Sequence, residues 1–284
     1  MCRIPRPKSL LACAFLLAIS AHGEDACAQG AATEAEGVRY LSGDKRLGGE
    51  LYRPAGTGPF PAVLYNHGSA PGMLNSQASK TIGPMFSRAG WVFFMPYRRG
   101  QGLSADAGPY IGDEVAAARR HGGKSAASAT LARLLTTDHL DDQLAALAWL
   151  RSQSFVSGQR VALAGNSFGG IQSILGAARA PVCGAVAASA ASESWRDSAE
   201  LQVAMTEAAA RFSAPLLLFQ ARNDFDLEPN ETLVQVRRQA GKPVDYKLYP
   251  VFGRSTRDGH SFAYLGADIW FSDVLGFLDE VCKK

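Results

Sequence analysis

Three residue types stand along this chain in an order and in surroundings that would let them act together. Ser167 lies in Gly165-Asn166-Ser167-Phe168-Gly169, Asp224 follows the apolar run Leu216 to Gln220 by a few residues, and His260 ends the polar stretch 253–260. A serine hydroxyl is a weak nucleophile until a base removes its proton, and a neutral imidazole is the side chain suited to do so near neutral pH. A carboxylate fixes the tautomer of that imidazole and stabilises the imidazolium that forms. The chemistry implied is acyl transfer through a covalent serine intermediate. A Gly-x-Ser-x-Gly run after a buried strand and before a helix is a nucleophile elbow. The turn is tight and strained, its glycines avoid collisions that a Cβ would cause, and it pushes the hydroxyl clear of the sheet. The N–H of Phe168, at the helix start, could then donate to a developing oxyanion. A second donor is expected from the N–H of Ser69, just past the His67-Gly68 pair that ends an apolar strand. His67 itself is expected to hold its turn by hydrogen bonds rather than to take part in the chemistry. Asp226 is the rival acid two residues on, and Asp258 is too close to His260 in sequence to be the first choice.

These residues must be delivered by alternating strands and helices. Val161 to Ala164 are small or β-branched and read as a strand buried on both faces, with Phe168 to Arg179 the buried helix behind the serine. Upstream, VRYLS and LGGELYRP form a hairpin around Gly43, Asp44 and Lys45. The strand Ala62 to Gly68, a helix around Lys80 to Ala89 and the strand Trp91 to Tyr97 then make a parallel crossover. Arg98 and Arg99 follow at the carboxyl edge of the sheet, where open α/β sheets bind ligands. They are expected as structural ion pairs or a solvated face, with substrate contact the alternative. Residues 104–136 carry Pro109, Gly112, Gly122 and Gly123 and read as an insertion of two short amphipathic helices overhanging the site. From Asp138, Leu140, Leu144, Leu147 and Ala148 mark one face of a helix capped near Thr137 and ending at Ser154. Cys183 to Ala190 is the next strand. Only about 25 residues separate it from the strand Ser213 to Ala221, too few for a cap domain. A helix from about Asn230, the strand 245–250 and a last helix from Ala263 to Val281 complete the chain.

Nearly half of the 284 residues are apolar and 19% are charged, as in an ordinary globular protein. The net charge of +3 is spread out, without the basic stripe and interleaved aromatics that nucleic acid binding requires. At the start of the chain Arg3, Arg6 and Lys8 precede the apolar run Leu10 to Ala21, and Ala26-Cys27-Ala28 offers a cleavage site. This predicts a signal peptide over 1–28, export to the periplasm or medium, and no stable membrane insertion after cleavage, since the run is shorter than the roughly 20 residues of a spanning helix. Cleavage would leave Cys183 and Cys282 in an oxidising compartment. In a parallel sheet the strand at Cys183 begins opposite the catalytic edge, and the last helix runs back to that same side. The two cysteines could therefore be bridged; the alternative is a buried core thiol and a free thiol on a frayed terminus. Two phosphate-loop look-alikes fail. Pro61 stands where a third glycine should follow Gly56 and Gly58, and Ala118 occupies the first glycine position before Gly123-Lys124-Ser125.

Taken together, RLGGELYRP, PFPAVLYNHGS, YRRGQGLS, GNSFGG, LLLFQARND and DGHSF resemble the dienelactone hydrolase-like branch of the α/β-hydrolases, and also the catalytic domain of prolyl-oligopeptidase-type peptidases. The resemblance implies an α/β-hydrolase fold with an eight-stranded, mostly parallel sheet flanked by helices, and a short helical insertion after the fourth strand. It implies a hydrolase without cofactor, with Ser167, Asp224 and His260 as its triad and a small-molecule ester as its partner; no CxxC, HExxH or similar ligand spacing suggests a metal. Dienelactone hydrolases proper carry cysteine as nucleophile. Ser167 in its place favours ordinary carboxylic esters, with a small peptidase or amidase, or a binding protein that kept the fold, as alternatives. The chain then divides into a signal peptide (1–28), a small-residue linker (29–36) and one catalytic domain (37–284).

Overall fold

The computed structural model describes Met1, residues 34–70 and residues 73–282, the side chains of 73–77 excepted. Met1 apart, the expected signal peptide with its cleavage site, and the linker as far as residue 33, lie outside the described residues. The strands are β1 (Glu36–Ser42), β2 (Lys45–Tyr52), β3 (Phe60–Asn66), β4 (Val92–Pro96), β5 (Val156–Asn166), β6 (Ala185–Ala188), β7 (Leu216–Ala221) and β8 (Val244–Tyr249). The helices are α1 (Met73–Arg88), α2 (Ile111–Thr136), α3 (Asp138–Arg151), α4 (Phe168–Ala177), α5 (Ala199–Arg211), α6 (Glu228–Gln239), α7 (Thr256–His260), α8 (Phe262–Leu265) and α9 (Ala267–Cys282). All eight strands join one sheet in the order β1-β2-β4-β3-β5-β6-β7-β8. β2 pairs antiparallel with both β1 and β4, and every other pairing is parallel.

The strands that read as continuous apolar runs are the central ones, and their alternate residues feed two separate cores. Leu64 of β3 and Val161 and Leu163 of β5 point into the layer of α3, α4 and α5; Val63, Tyr65, Ala162 and Ala164 point into the layer of α1, α8 and α9. Each large apolar side chain fully buried in this way contributes roughly 1.5–3 kcal/mol, so a central strand carries its own reason to sit between two helical layers. Because the strands are parallel, the segments after β3, β5, β7 and β8 all emerge at one edge. Ser69, Ser167, Asp224 and His260 follow those four strands.

The elements differ from the sequence expectation in several places, among them α5, a helix in the segment read only as a short connection between two strands. The expected last helix is two, α8 and α9, separated at Gly266. The polar stretch before His260 contains α7, closed by a capping box between Ser255 and Asp258. Thr137 does not cap α3; its hydroxyl donates back to the Arg133 carbonyl at 2.7 Å, ending α2 instead. The insertion is one element bent at Gly122 and Gly123, preceded by a short 3-10 turn over Gly102–Ala107. Among the described residues no helix is long and apolar enough to cross a membrane.

Candidate active site

Ser167 sits at φ 57°, ψ −119°, a left-handed conformation that costs a non-glycine residue of order 1–3 kcal/mol. Its N–H donates to the Ala188 carbonyl at 2.9 Å, so β6 holds the turn in place. The helix α4 begins at the next residue, and it can do so this close to the sheet because Gly169 lies against the end of β3. A Cβ on Gly169 would land on the Asn66 carbonyl. Phe168 thereby becomes the first helical residue, whose N–H has no partner within the helix and faces outward along its axis.

His260 ends α7 with Nε2 3.0 Å from Ser167 Oγ and Nδ1 2.8 Å from Asp224 Oδ1. The Asp224 side chain is fully buried. Its Oδ1 also accepts from the Ser192 hydroxyl at 2.7 Å and from the Phe225 N–H at 2.7 Å. Burial pushes the Asp224 carboxyl up, but the hydrogen bond and charge of His260, with the hydroxyls of Ser189 and Ser192, outweigh it and hold the carboxyl below its ordinary value. An ionised Asp224 requires the proton on Nδ1, which leaves the Nε2 lone pair facing Ser167. Asp226 is turned to Arg196 at 2.7 Å and caps the Glu228 N–H at 3.1 Å. Asp258 accepts from the N–H groups of Arg254 and Ser255, at 2.8 and 2.9 Å, in the cap of α7. Of the three candidate carboxylates, Asp224 is the one against His260.

The loop after β3 is held by a buried cation. The Arg98 N–H donates to His67 Nε2 at 3.0 Å, so His67 carries its proton on Nδ1 and donates it to the Gly68 carbonyl at 2.7 Å. The Arg98 guanidinium donates to the Gly68 carbonyl (3.2 Å), the His67 carbonyl (2.7 Å) and the Gln172 amide oxygen (2.7 Å), and Gln172 in turn donates to the His139 carbonyl. Two donors thus turn the Gly68 carbonyl into the protein. In a trans peptide the N–H of the next residue points the opposite way, so the Ser69 N–H turns outward. The Gly68 N–H is already taken, donating to the Tyr264 hydroxyl at 2.7 Å. Burial without a carboxylate partner lowers the Arg98 pKa to about 10. Arg99 instead makes a two-pronged ion pair with Asp142, at 2.6 and 2.8 Å. Neither arginine lines the cavity at Ser167, and Arg98 is held by carbonyl and amide oxygens rather than by an ion pair.

Ser69, Ser167, Phe225, Arg257, His260 and Tyr264 line a cavity of about 120 Å³, with the Phe225 ring 4.9 Å from the His260 ring. The sequence reading did not find Ser192, Tyr264 or the part played by Arg98. Tyr264 lies one helical turn beyond His260, a spacing that could have drawn attention to it. Nothing in the small-residue run 187–192 distinguishes Ser192, which reaches Asp224 from a turn in which Ser189 and Ala191 take positive φ.

The profile of the dienelactone hydrolase family matches residues 47–269. Solved structures with the same fold include a protein assigned as a dienelactone hydrolase from Klebsiella pneumoniae (17% identity, 88% of this chain and 100% of that one, TM-score 0.65). An esterase from Pyrococcus furiosus is similar too (16%, 88% and 94%, TM-score 0.61). So is an acylaminoacyl peptidase from Pyrococcus horikoshii (17%, TM-score 0.62), where 89% of this chain spans only 42% of the peptidase. No curated protein matches the sequence. The matched span takes in the elbow, the acid loop and the histidine on an α/β-hydrolase sheet, and this chain belongs to the dienelactone hydrolase family.

Proposed function

We propose that the protein is an exported serine hydrolase that cleaves carboxylic esters through an acyl-enzyme on Ser167. The observation that carries this reading is the continuous chain from Ser167 Oγ through His260 to the buried Asp224, at 3.0 and 2.8 Å, on a strained elbow. Ser167 attacks the ester carbonyl as His260 Nε2 takes its proton, and Asp224 stabilises the imidazolium. The N–H groups of Phe168 and Ser69 hold the oxyanion. His260 then protonates the leaving alcohol, and water repeats the sequence to release the acid. Serine in place of the cysteine of dienelactone hydrolases proper favours ordinary esters. The Cys183–Cys282 disulfide supports export, since such bonds persist in oxidising compartments, and it agrees with a signal peptide cleaved after Ala28.

A fluorophosphonate probe is expected to label Ser167. Ser167→Ala should abolish labelling and lower kcat by roughly 10⁴-fold or more, as loss of a triad nucleophile does. Esters should be turned over far faster than aminoacyl amides in a side-by-side panel. Undiminished ester hydrolysis by Ser167→Ala would refute the mechanism, and a preference for the amides would make the protein a peptidase or amidase.

A further inference from the structure

Beside the catalytic cavity lies a second one, of about 300 Å³, beneath the insertion. It is framed by both halves of α2. Val115 and Arg119 are one turn apart on the first half, and Lys124, Ala127, Ser128 and Leu131 follow the i, i+3, i+4, i+7 spacing of a single face on the second. Both faces turn to the same space because the helix bends at Gly122 and Gly123, where Gly123 takes φ 70°. The floor is Phe168, next to the nucleophile, and the opposite wall is the segment from Glu193 to Ser198. The Ser128 hydroxyl donates to Glu200 at 3.2 Å, tying the roof to the first turn of α5 just beyond this wall. Glu193 lines both this cavity and the catalytic one, so the two meet there.

Stereochemistry says which part of an ester must go where. The tetrahedral carbon formed at Ser167 carries four groups: Oγ, the oxyanion, the leaving oxygen and the acyl substituent. The oxyanion faces the N–H groups of Phe168 and Ser69. The leaving oxygen must lie within reach of His260 Nε2, on the side lined by Phe225 and Arg257. The acyl substituent takes the direction that remains, away from His260 and over Phe168. No residue of the His260 or Asp224 loops lines the cavity under α2.

Resting on the esterase reading above, we propose that this cavity is the acyl site and that its ligand is an apolar, medium-chain acyl group. Val115, Ala127, Leu131 and Phe168 give it an apolar interior, while Arg119, Lys124, Glu193 and Asp197 stand at its rim. At about 30 Å³ for each methylene-sized group, comparable to the volume of a water, the cavity holds at most about ten such groups, so an acyl chain of roughly eight to ten carbons fits before a longer one meets Arg119 and Lys124. The substrates are therefore esters whose acid part is a saturated chain of about that length, and the bent insertion sets the limit.

The test is a series of p-nitrophenyl esters from acetyl to dodecanoyl, which holds the leaving group constant. In the wild-type protein kcat/KM should climb by up to about fourfold per methylene, the transfer value for a buried CH₂, to an optimum near octanoyl, then fall. Ala127→Phe and, from the other half of the helix, Val115→Phe should each lower the octanoyl value at least tenfold and move the optimum to butyryl or shorter. Fluorophosphonate labelling of Ser167 should persist, which shows that each variant is folded and armed. A wild-type optimum at acetyl, or an unchanged chain-length profile in both labelled variants, overturns the acyl site while leaving the esterase reading intact. Failure of the wild-type protein to label at Ser167 or to hydrolyse any ester overturns the esterase reading and this site with it.

Discussion

Asp224 and Asp226 lie two residues apart on one loop, yet they have different partners and should respond differently to the same change. Asp224→Asn removes the charge that fixes His260 and stabilises its protonated form, and kcat should fall by about 10³–10⁴-fold. Asp226→Asn loosens an ion pair to Arg196, whose side chain is 73% exposed, so stability should fall by less than about 1 kcal/mol and activity should stay within a few-fold. Initial rates and thermal melts of the two variants decide the ranking. The pH dependence follows from the depressed Asp224 pKa. A carboxylate whose folded pKa lies below its unfolded value contributes stability that is present above the unfolded value and lost as pH falls through the folded one. The gap in melting temperature between wild type and Asp224→Asn should hold from pH 7 to about 4 and shrink below it. A gap that widened in acid would show that this carboxyl is not held ionised. Arg98 offers a further check on the proposed oxyanion donor at Ser69. Arg98→Met releases the Gly68 carbonyl, and with it the aim of the Ser69 N–H. Losing one oxyanion donor costs about 10²–10³ in kcat, so kcat should drop toward that extent with KM little changed. A purely structural role for Arg98 would lower the melting temperature and leave per-site kcat intact.

Among the elements, the elbow and the final helix give opposite forecasts for glycine-to-alanine changes. A Cβ on Gly169 meets the backbone of Asn66 and His67, which cannot yield without moving β3 from α4. Gly169→Ala should therefore destabilise by the upper end of the 1–3 kcal/mol typical of overpacking, or more, and cut activity with it. Gly276 lies in the exposed interior of α9 with nothing near its Cβ position. Gly276→Ala should stabilise by about 0.5–1 kcal/mol through helix propensity alone. Thermal denaturation of the two variants measures both. The elements themselves were largely legible in the sequence: β3, β4, β5 and β7 stand where apolar runs lie between turn residues. The boundaries that moved are those set by contacts at a distance. Arg237 of α6 donates to the carbonyls of Ala209, Phe212, Ala214 and Pro243, tying α5, β7 and β8 together, and nothing in its local sequence marks it as buried. The bend in α2 was visible as two glycines, but not that both of its halves face one cavity.

At the scale of the molecule, Cys183 and Cys282 are joined, with Cα atoms 5.0 Å apart and a sequence separation of 99. The bridge pins the end of α9 to the start of β6, at the edge of the sheet away from the serine. Closing a loop of that size is worth up to about 4–5 kcal/mol in the chain-entropy model. Cys183→Ala/Cys282→Ala should lower the melting temperature markedly while sparing kcat, since neither residue is near the catalytic edge. Alkylation of the native protein without reductant should find neither thiol.

What the sequence by itself determined was order and sidedness. Serine, acid and histidine each follow a strand, and parallel strands deliver whatever follows them to one edge, so Ser167, Asp224 and His260 could be assigned to a common site from apolar periodicity, turn residues and the elbow motif, with Ser69 added by the resemblance to the α/β-hydrolases. Those signals are local, and they carry over because a buried strand must be apolar wherever it occurs. Only the tertiary structure decided which of two nearby aspartates meets His260, that the cysteines pair, that Arg98 turns the Gly68 carbonyl inward, and that a bent helix encloses a cavity beside Phe168. Each of these depends on side chains brought together from segments distant in sequence to within a hydrogen bond or a van der Waals contact. Such convergence is set by the packing of whole layers against one another, which no window of neighbouring residues encodes.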